Sequence, residues 1–179
     1  VTLDGHELRD LDRHWLRSQI GVVFQDPFLY SRSIGENVAL GRPTANQQEL
    51  FKACQDAAIR GQRQRLALAR TLLKDPPVLV LDDSLSAVDT GTEQLILKAL
   101  RERAGRQTTL IIAHRLSSVR HADRILVLNE GRLEQLGSHD ELASQQGLYQ
   151  RLCAIQGALD ASINSDLNAA TQGLTGEPQ

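Results

Sequence analysis

The sequence predicts an α/β fold built on a mostly parallel sheet flanked by helices, and three observations predict it. Short apolar runs rich in Val, Ile and Leu alternate along the chain with segments whose apolar residues recur at helical spacing. The runs are nearly continuous, the pattern of strands covered on both faces. Two of them end in side chains that can do chemistry: VLVLDD closes on Asp82 and Asp83, and TTLIIAH closes on His114. Ligands of open α/β sheets sit at such carboxyl ends.

Taken in order, the first predicted strand is Ile20–Phe24, and apolar periodicity predicts helices over Gln47–Ala58 and Gln62–Leu73. Pro76-Pro77 stops the second helix, because proline lacks the amide proton and restricts its predecessor, and releases the chain into a strand over Val78–Asp82. A third helix is predicted over Thr92–Arg103 and a third strand over Thr108–Ala113. The strands Arg124–Asn129 and Arg132–Leu136 flank Glu130-Gly131, a tight hairpin signal. SHDELASQQGLYQRLCAIQ then reads as two helices, with Ser138 and Glu141 spaced for a capping box. The stripe Leu148, Leu152, Ile155 is predicted to dock the last helix on the domain. After Gly157 the composition turns polar, and TQGLTGEPQ is predicted to be disordered. No internal repeat is present.

Composition narrows the function classes. The length of 179 residues suits one domain, the apolar fraction of 41% suits a soluble globular chain, and no apolar run approaches the roughly 18 residues of a membrane span. The opening VTLDGHELRD has no signal-peptide pattern, which predicts a cytosolic location. The chain contains no methionine, so Val1 is predicted to be an internal position of a longer protein. Cys54 and Cys153 have neither zinc spacing nor a disulfide framework and are expected to be buried thiols. Arg60, Arg63, Arg65 and Arg70 cluster in RGQRQRLALAR, but a net charge of −2 and 3% aromatics argue against nucleic-acid binding. A solvated helix face is the expected reading of that cluster.

The strand-end residues suit phosphoryl chemistry. An aspartate in the position of Asp82 can hold Mg²⁺ through water, since that cation takes oxygen ligands and keeps several waters. An acidic residue directly after it, Asp83, can orient or deprotonate an attacking water. His114 can hydrogen-bond a terminal phosphate and the same water. Singly, each has a plainer reading: Asp favours turns at strand ends, and a His after a strand is commonly structural. Their combination favours catalysis. A G-x-x-x-x-G-K-[ST] phosphate loop, which such a site requires, is absent from the chain.

These segments carry a family resemblance. VLVLDDSLSAVD resembles the Walker B strand and D-loop of ABC transporter ATPases, and IIAHRLSSV resembles their switch-histidine segment. IGVVFQDPFLYSRSIGENVALG is similar to the glutamine loop of ABC exporters, and GQRQRLALARTLLKDPPVLVLDD to the helix that follows the LSGGQ signature. The resemblance implies a P-loop NTPase-like fold, incomplete, spanning residues 1–157, with 158–179 as a polar tail. It further implies ATP and Mg²⁺ as cofactors, Gln25 as a sensor of Mg²⁺ and γ-phosphate, Asp82 on the hydrated metal, Asp83 as base and His114 as switch. Asp89 would act in the D-loop across a dimer, and Gly61 and Gln62, the remains of the signature, would face the nucleotide held by the other subunit. Phe28, Leu29 and Tyr30 would meet a transmembrane domain, plain core packing being the alternative. The implied partners are that transmembrane domain and a second ABC ATPase domain, possibly a non-identical subunit, with no nucleic acid. The implied location is the cytoplasmic face of the inner or plasma membrane.

Three departures from the family pattern bear on function. VTLDGHELRDLD lies downstream of the phosphate loop in the family, so the phosphate cradle is missing. KACQDAAI runs directly into RGQRQR, where the family carries most of a helical subdomain and the start of the signature; an internal deletion near 59–61 is the expectation. Asp83 stands where glutamate is usual, and a base withdrawn by ~1 Å loses on the order of 10²-fold in rate. That resembles the degenerate site of heterodimeric exporters. The reading is an ATP-binding subunit fragment of an exporter of drug-like or lipid-like substrates, itself expected to be inactive. The alternatives are a non-catalytic remnant acting as an interaction or regulatory module, and a soluble ABC ATPase of the DNA-repair or translation type, against which SRSIGENV argues.

Overall fold

Helix α4 and the two prolines behind it set the central geometry. The computed structural model describes residues 1–59, 63–86 and 88–159, and the chain divides into two units, Val1–His114 and the part from Arg115 on. In the first unit β1 (Thr2–Leu3) and β2 (His6–Glu7) form a small hairpin. Its turn, Asp4-Gly5, has φ of 50° and 83°, the left-handed pair that Asp-Gly adopts readily. Helix α1 (Arg13–Gln19) leads directly into β3 (Ile20–Val23). Helices α2 (Ile34–Ala39) and α3 (Gln47–Asp56) each begin with a reciprocal capping box, Ser33 with Glu36 and Asn46 with Glu49. Helix α4 (Arg63–Lys74) ends where Asp75 turns left-handed at φ 53° ahead of Pro76. Then follow β4 (Val78–Asp82), α5 (Thr90–Arg101) and β5 (Thr108–Ile112).

The three-stranded sheet is parallel in the order β3-β4-β5, as the sequence predicts, with Val23 opposite Leu81 and Leu81 opposite Ile111. Gly21, Val23, Leu79 and Leu81 are buried on one face, in the core that also holds Leu66, Leu68, Leu72, Ile96 and Leu100 of α4 and α5. A Cβ on Gly21 would stand 2.5 Å from Thr71 Cγ2 and 2.6 Å from Pro76 Cγ, so glycine there permits the close approach of α4 to β3. Arg103, just past α5, is buried and donates to Asp75 Oδ1 at 2.6 Å and to Asp56 Oδ2 at 3.0 Å, pinning the end of α5 to the ends of α3 and α4.

The other face corrects an expectation. Val22, Phe24, Leu110 and Ile112 are exposed, Leu110 to 49%. The continuous apolar runs predict cover on both faces, and within the described residues only one is covered. The period-2 geometry of strands explains this: alternate residues turn to the bare side, and the composition registers a need for cover without supplying it.

In the second unit α6 (Leu116–Val119) precedes the hairpin β6 (Ile125–Asn129) and β7 (Arg132–Gly137). Its turn is Glu130-Gly131 at φ 48° and 75°, as predicted. Helix α7 (His139–Ser144) carries the predicted Ser138–Glu141 capping box, and residues 148–159 are helical. Ile125, Val127, Leu142 and Tyr149 form this unit's core, with Leu148 and Cys153 packed against it. Leu152 and Ile155 are exposed; the face turned inward runs through Tyr149 and Cys153, so the predicted docking stripe holds only at Leu148. The polar tail from 160 on lies outside the described residues.

The two faces of the sheet differ in what a substitution costs. Leu79→Ala removes a fully buried side chain and is expected to lower stability by about 2–5 kcal/mol. Leu110→Thr on the bare face is expected to cost under about 1 kcal/mol and to reduce self-association. Urea unfolding midpoints and light scattering on the two variants check both expectations.

Candidate functional site

Parallel register decides which residues share the carboxyl edge. Val23, Leu81 and Ile111 are level across the sheet, so Asp82 lies one residue beyond that line, Gln25, Asp83 and Ala113 two residues beyond it, and His114 three. Asp82 and Asp83 are half-buried, while Gln25 and His114 are exposed. The structure therefore brings the predicted set, Gln25, Asp82, Asp83 and His114, to one edge.

The backbone at Asp83 is held from two sides. Its N–H donates to Ile112 O at 2.9 Å, and its carbonyl accepts from Ser86 Oγ at 2.8 Å and Ser86 N at 3.3 Å. Its φ of 45° is left-handed, a conformation aspartate tolerates better than most residues. Beside it Ser84 Oγ is buried without a hydrogen-bond partner. At the next strand, Gln25 O accepts from Gln64 Nε2 of α4 at 3.0 Å.

Asp89 occupies a separate position as N-cap of α5. Its Oδ1 accepts from Thr92 N at 3.0 Å and its Oδ2 from Arg65 at 3.1 Å, while Arg65 also donates to Ala58 O at 3.2 Å. Bonds from the Thr92 N–H and hydroxyl, and more weakly the Arg65 charge, hold the carboxyl below its ordinary range. A cleft of about 720 Å³ opens beside it, lined by Cys54, Ala58 and Ile59 from the α3 side and Thr92 and Leu95 of α5.

The arginine cluster corrects the expected solvated face. Arg63 is exposed, but Arg65 is only 4% exposed and paired with Asp89, and Arg70 is half-buried and donates to Asn37 of α2 and to the Phe28 carbonyl in the loop before it. Both reach partners more than 20 residues away in sequence, Asp89 for Arg65 and Asn37 and Phe28 for Arg70, which local pattern does not reveal. Arg60, Gly61 and Gln62 lie outside the described residues. Cys54 and Cys153 are free thiols, half-buried where full burial is expected, and partial burial pushes the Cys54 thiol up. Phe28 is 72% exposed and Tyr30 50%, their rings in an edge-on pair 5.0 Å apart, whereas Leu29 packs on the core. Of the two readings of that trio, surface display fits the aromatics and core packing fits Leu29. Sequence reasoning missed Asn37, a buried side chain that organises this loop; the S-x-x-E capping signal immediately before it marks the turn it sits on.

Asp89 gives a pH expectation. A carboxyl lowered in the folded state adds stability that is complete above the ordinary carboxylate pKa of about 4 and is lost as pH falls through the folded value. Asp89→Asn keeps a capping oxygen and loses the titration. The stability gap between wild type and variant is therefore expected to shrink as pH falls below the ordinary carboxylate range, measured by thermal melts; a gap constant with pH would contradict it.

A sequence profile described as ABC transporter matches residues 1–86. "ABC transporter B family member 1" of Arabidopsis thaliana is 42% identical over 191 aligned positions, covering 93% of this chain and 15% of its own length. A putative multidrug export ATP-binding/permease protein of Staphylococcus aureus is 39% identical, over 87% of this chain and 31% of its own. Among solved structures, a bacterial Atm1-family ABC exporter with ATP bound superposes with a TM-score of 0.82 at 39% identity, over 87% of this chain and 31% of that one. The chain thus spans about a third or less of the relatives it matches.

Proposed function

Because the chain belongs to the ABC transporter family, we propose that it is part of the ATP-hydrolysing engine of an exporter, working at the cytoplasmic face of a membrane. The observation that carries this reading is the edge on which Gln25, Asp82, Asp83 and His114 are gathered. No helix among the described residues is long and apolar enough to cross a membrane. The proposed route through the bilayer is supplied by a transmembrane partner, which docks on the exposed Phe28–Tyr30 pair.

Oxygen donors at the edge fit Mg²⁺. Asp82 and Gln25 would hold it, and the lack of any cluster of three His, Cys, Asp or Glu among the described residues suits an ion that keeps most of its waters. When bound, Mg²⁺ neutralises the charge that grows on the transferring phosphoryl oxygens. Asp83 accepts the proton of the attacking water as its oxygen bonds to the γ-phosphorus and the bond to the β–γ bridging oxygen breaks, releasing ADP and phosphate. His114 holds the water and the γ-phosphate in line. Asp89 faces a second ATPase domain; Gly61 and Gln62, the remains of the signature, lie outside the described residues.

The phosphate grip is not in this chain, which carries no G-x-x-x-x-G-K-[ST] loop. The chain by itself therefore neither binds ATP tightly nor turns it over. The Arabidopsis alignment runs over 191 positions while covering 93% of this 179-residue chain, so it contains gaps on this chain's side, as a shortened crossing from α3 to α4 would produce; the cleft beside Asp89 adjoins that junction. The missing grip favours one second reading, a non-catalytic module that docks on a transporter without turnover.

Two measurements test the proposal. In the transporter assembled around this chain, Asp83→Glu is expected to raise hydrolysis at this site on the order of 10²-fold, as befits the weak half of a heterodimer; no gain counts against that role. Purified alone, the chain is expected to show no nanomolar to low-micromolar ATP binding by calorimetry, and binding in that range would overturn its predicted inactivity.

A further inference from the structure

Arg70 of α4 spends its whole guanidinium on Asn37 of α2 and on Phe28 of the loop that displays the aromatic pair. Nε donates to Asn37 O at 2.9 Å, one terminal nitrogen to Asn37 Oδ1 at 2.9 Å and the other to Phe28 O at 3.2 Å. Asn37 is 1% exposed, and its side chain extends the same network. Its Oδ1 also accepts from Tyr30 N, and its Nδ2 reaches the carbonyls of Tyr30, Arg32 and Ser33, each at 3.1 Å. The Arg70 guanidinium carbon lies 5.9 Å from the centre of the Tyr30 ring. An independent feature presses the same surfaces together: a Cβ on Gly41, just past α2, would collide with Arg70 O.

The loop is otherwise held by Gln64 on the Gln25 carbonyl, by Leu29 on the core and by the Ser33–Glu36 capping box, so between Leu29 and Ser33 the Asn37 amide is its main tether. Residues 24–33 contain no helix or strand, and both aromatic rings face outward. We propose that Arg70 and Asn37 are positioning residues that lock the 28–33 loop to α4, so that any movement of α4 is carried to the Phe28–Tyr30 surface. Since α4 begins directly after Gly61 and Gln62, the lock joins the signature end of the site to the surface where the membrane partner docks; this step rests on the docking reading above. A planar fork is required, because only a guanidinium serves three acceptors in fixed directions. Lysine keeps the charge and the stem and cannot replace it.

The test uses the transporter assembled around this chain, with Arg70→Lys, Asn37→Ala and the double variant Phe28→Ser/Tyr30→Ser. Hydrogen exchange is read at the Tyr30 amide and at the amides of β4, and ATP hydrolysis is read with and without transported substrate. Arg70→Lys and Asn37→Ala are expected to speed Tyr30 exchange on the order of 10- to 100-fold with β4 unchanged. Both are also expected to lose substrate stimulation to the same extent as the double variant. Unchanged Tyr30 exchange, or exchange that rises equally in β4, overturns the lock. So does stimulation that survives in Arg70→Lys and Asn37→Ala while the double variant loses it. Full stimulation in the double variant means that the docking reading has failed, and the lock is then decided by the Tyr30 amide alone.

Discussion

Burial of α4 is the constraint on which the rest depends. Leu66, Ala67, Leu68, Ala69, Leu72 and Leu73 are all buried on it, so the helix can shift only by opening the core of the first unit. Its polar side chains then reach outward from a fixed base to each segment of the site. Gln64 holds the carbonyl of Gln25, Arg65 holds Asp89, Arg70 holds Asn37 of α2 and Phe28 in the loop before it, and Lys74 donates to Arg17 O at 2.6 Å and Ile20 O at 2.9 Å where α1 gives way to β3. Hydrogen bonds from charged donors contribute about 1.5–3 kcal/mol each, and removing the donor leaves acceptors stranded. The helix is therefore a scaffold for function as well as for stability.

Much of this was legible in the sequence where the signal is local and periodic. The apolar runs gave β3, β4 and β5 to within a residue or two, and Pro76-Pro77 marked the entry to β4. Glu130-Gly131 and Ser138–Glu141 identified a hairpin turn and a helix start by the backbone chemistry they satisfy. The same logic, applied evenly, finds the Asp4-Gly5 turn and the Ser33–Glu36 and Asn46–Glu49 caps, which are written in the same residue code. What pattern does not carry is the identity of distant partners. Arg65 and Arg70 have the spacing of a solvated face, and only the fold shows a carboxylate 24 residues on and an amide 33 residues back.

The bare face of the sheet shows the same limit from the other side. Val22, Leu110 and Ile112 are apolar, and the described residues leave 39–49% of the surface of each exposed. Composition thus specifies an interface whose second half it does not name. The site has a matching asymmetry. The residues proposed for metal and water lie at the ends of β3, β4 and β5, and the sequence carries no G-x-x-x-x-G-K-[ST] loop for the phosphates. Both observations suit a chain that spans 31% of the bacterial exporter it superposes on.

Asp83 is where these constraints meet. A shorter carboxylate can be offset when the backbone is free to advance, and here it is not: the N–H is bound to Ile112 at the end of β5, the carbonyl is bound twice by Ser86, and φ is already left-handed. Advancing Asp83 would break the bond to Ile112 that ties the two strand ends together. Loss of a methylene at this position is therefore carried in full by the distance between the carboxylate and the water it is proposed to activate. Positioning errors of that size act exponentially on rate, so the rigidity that gathers Gln25, Asp82, Asp83 and His114 on one edge also denies a short base the means to compensate. On the proposed role of Asp83, the weakness of the site follows from the backbone as much as from the residue.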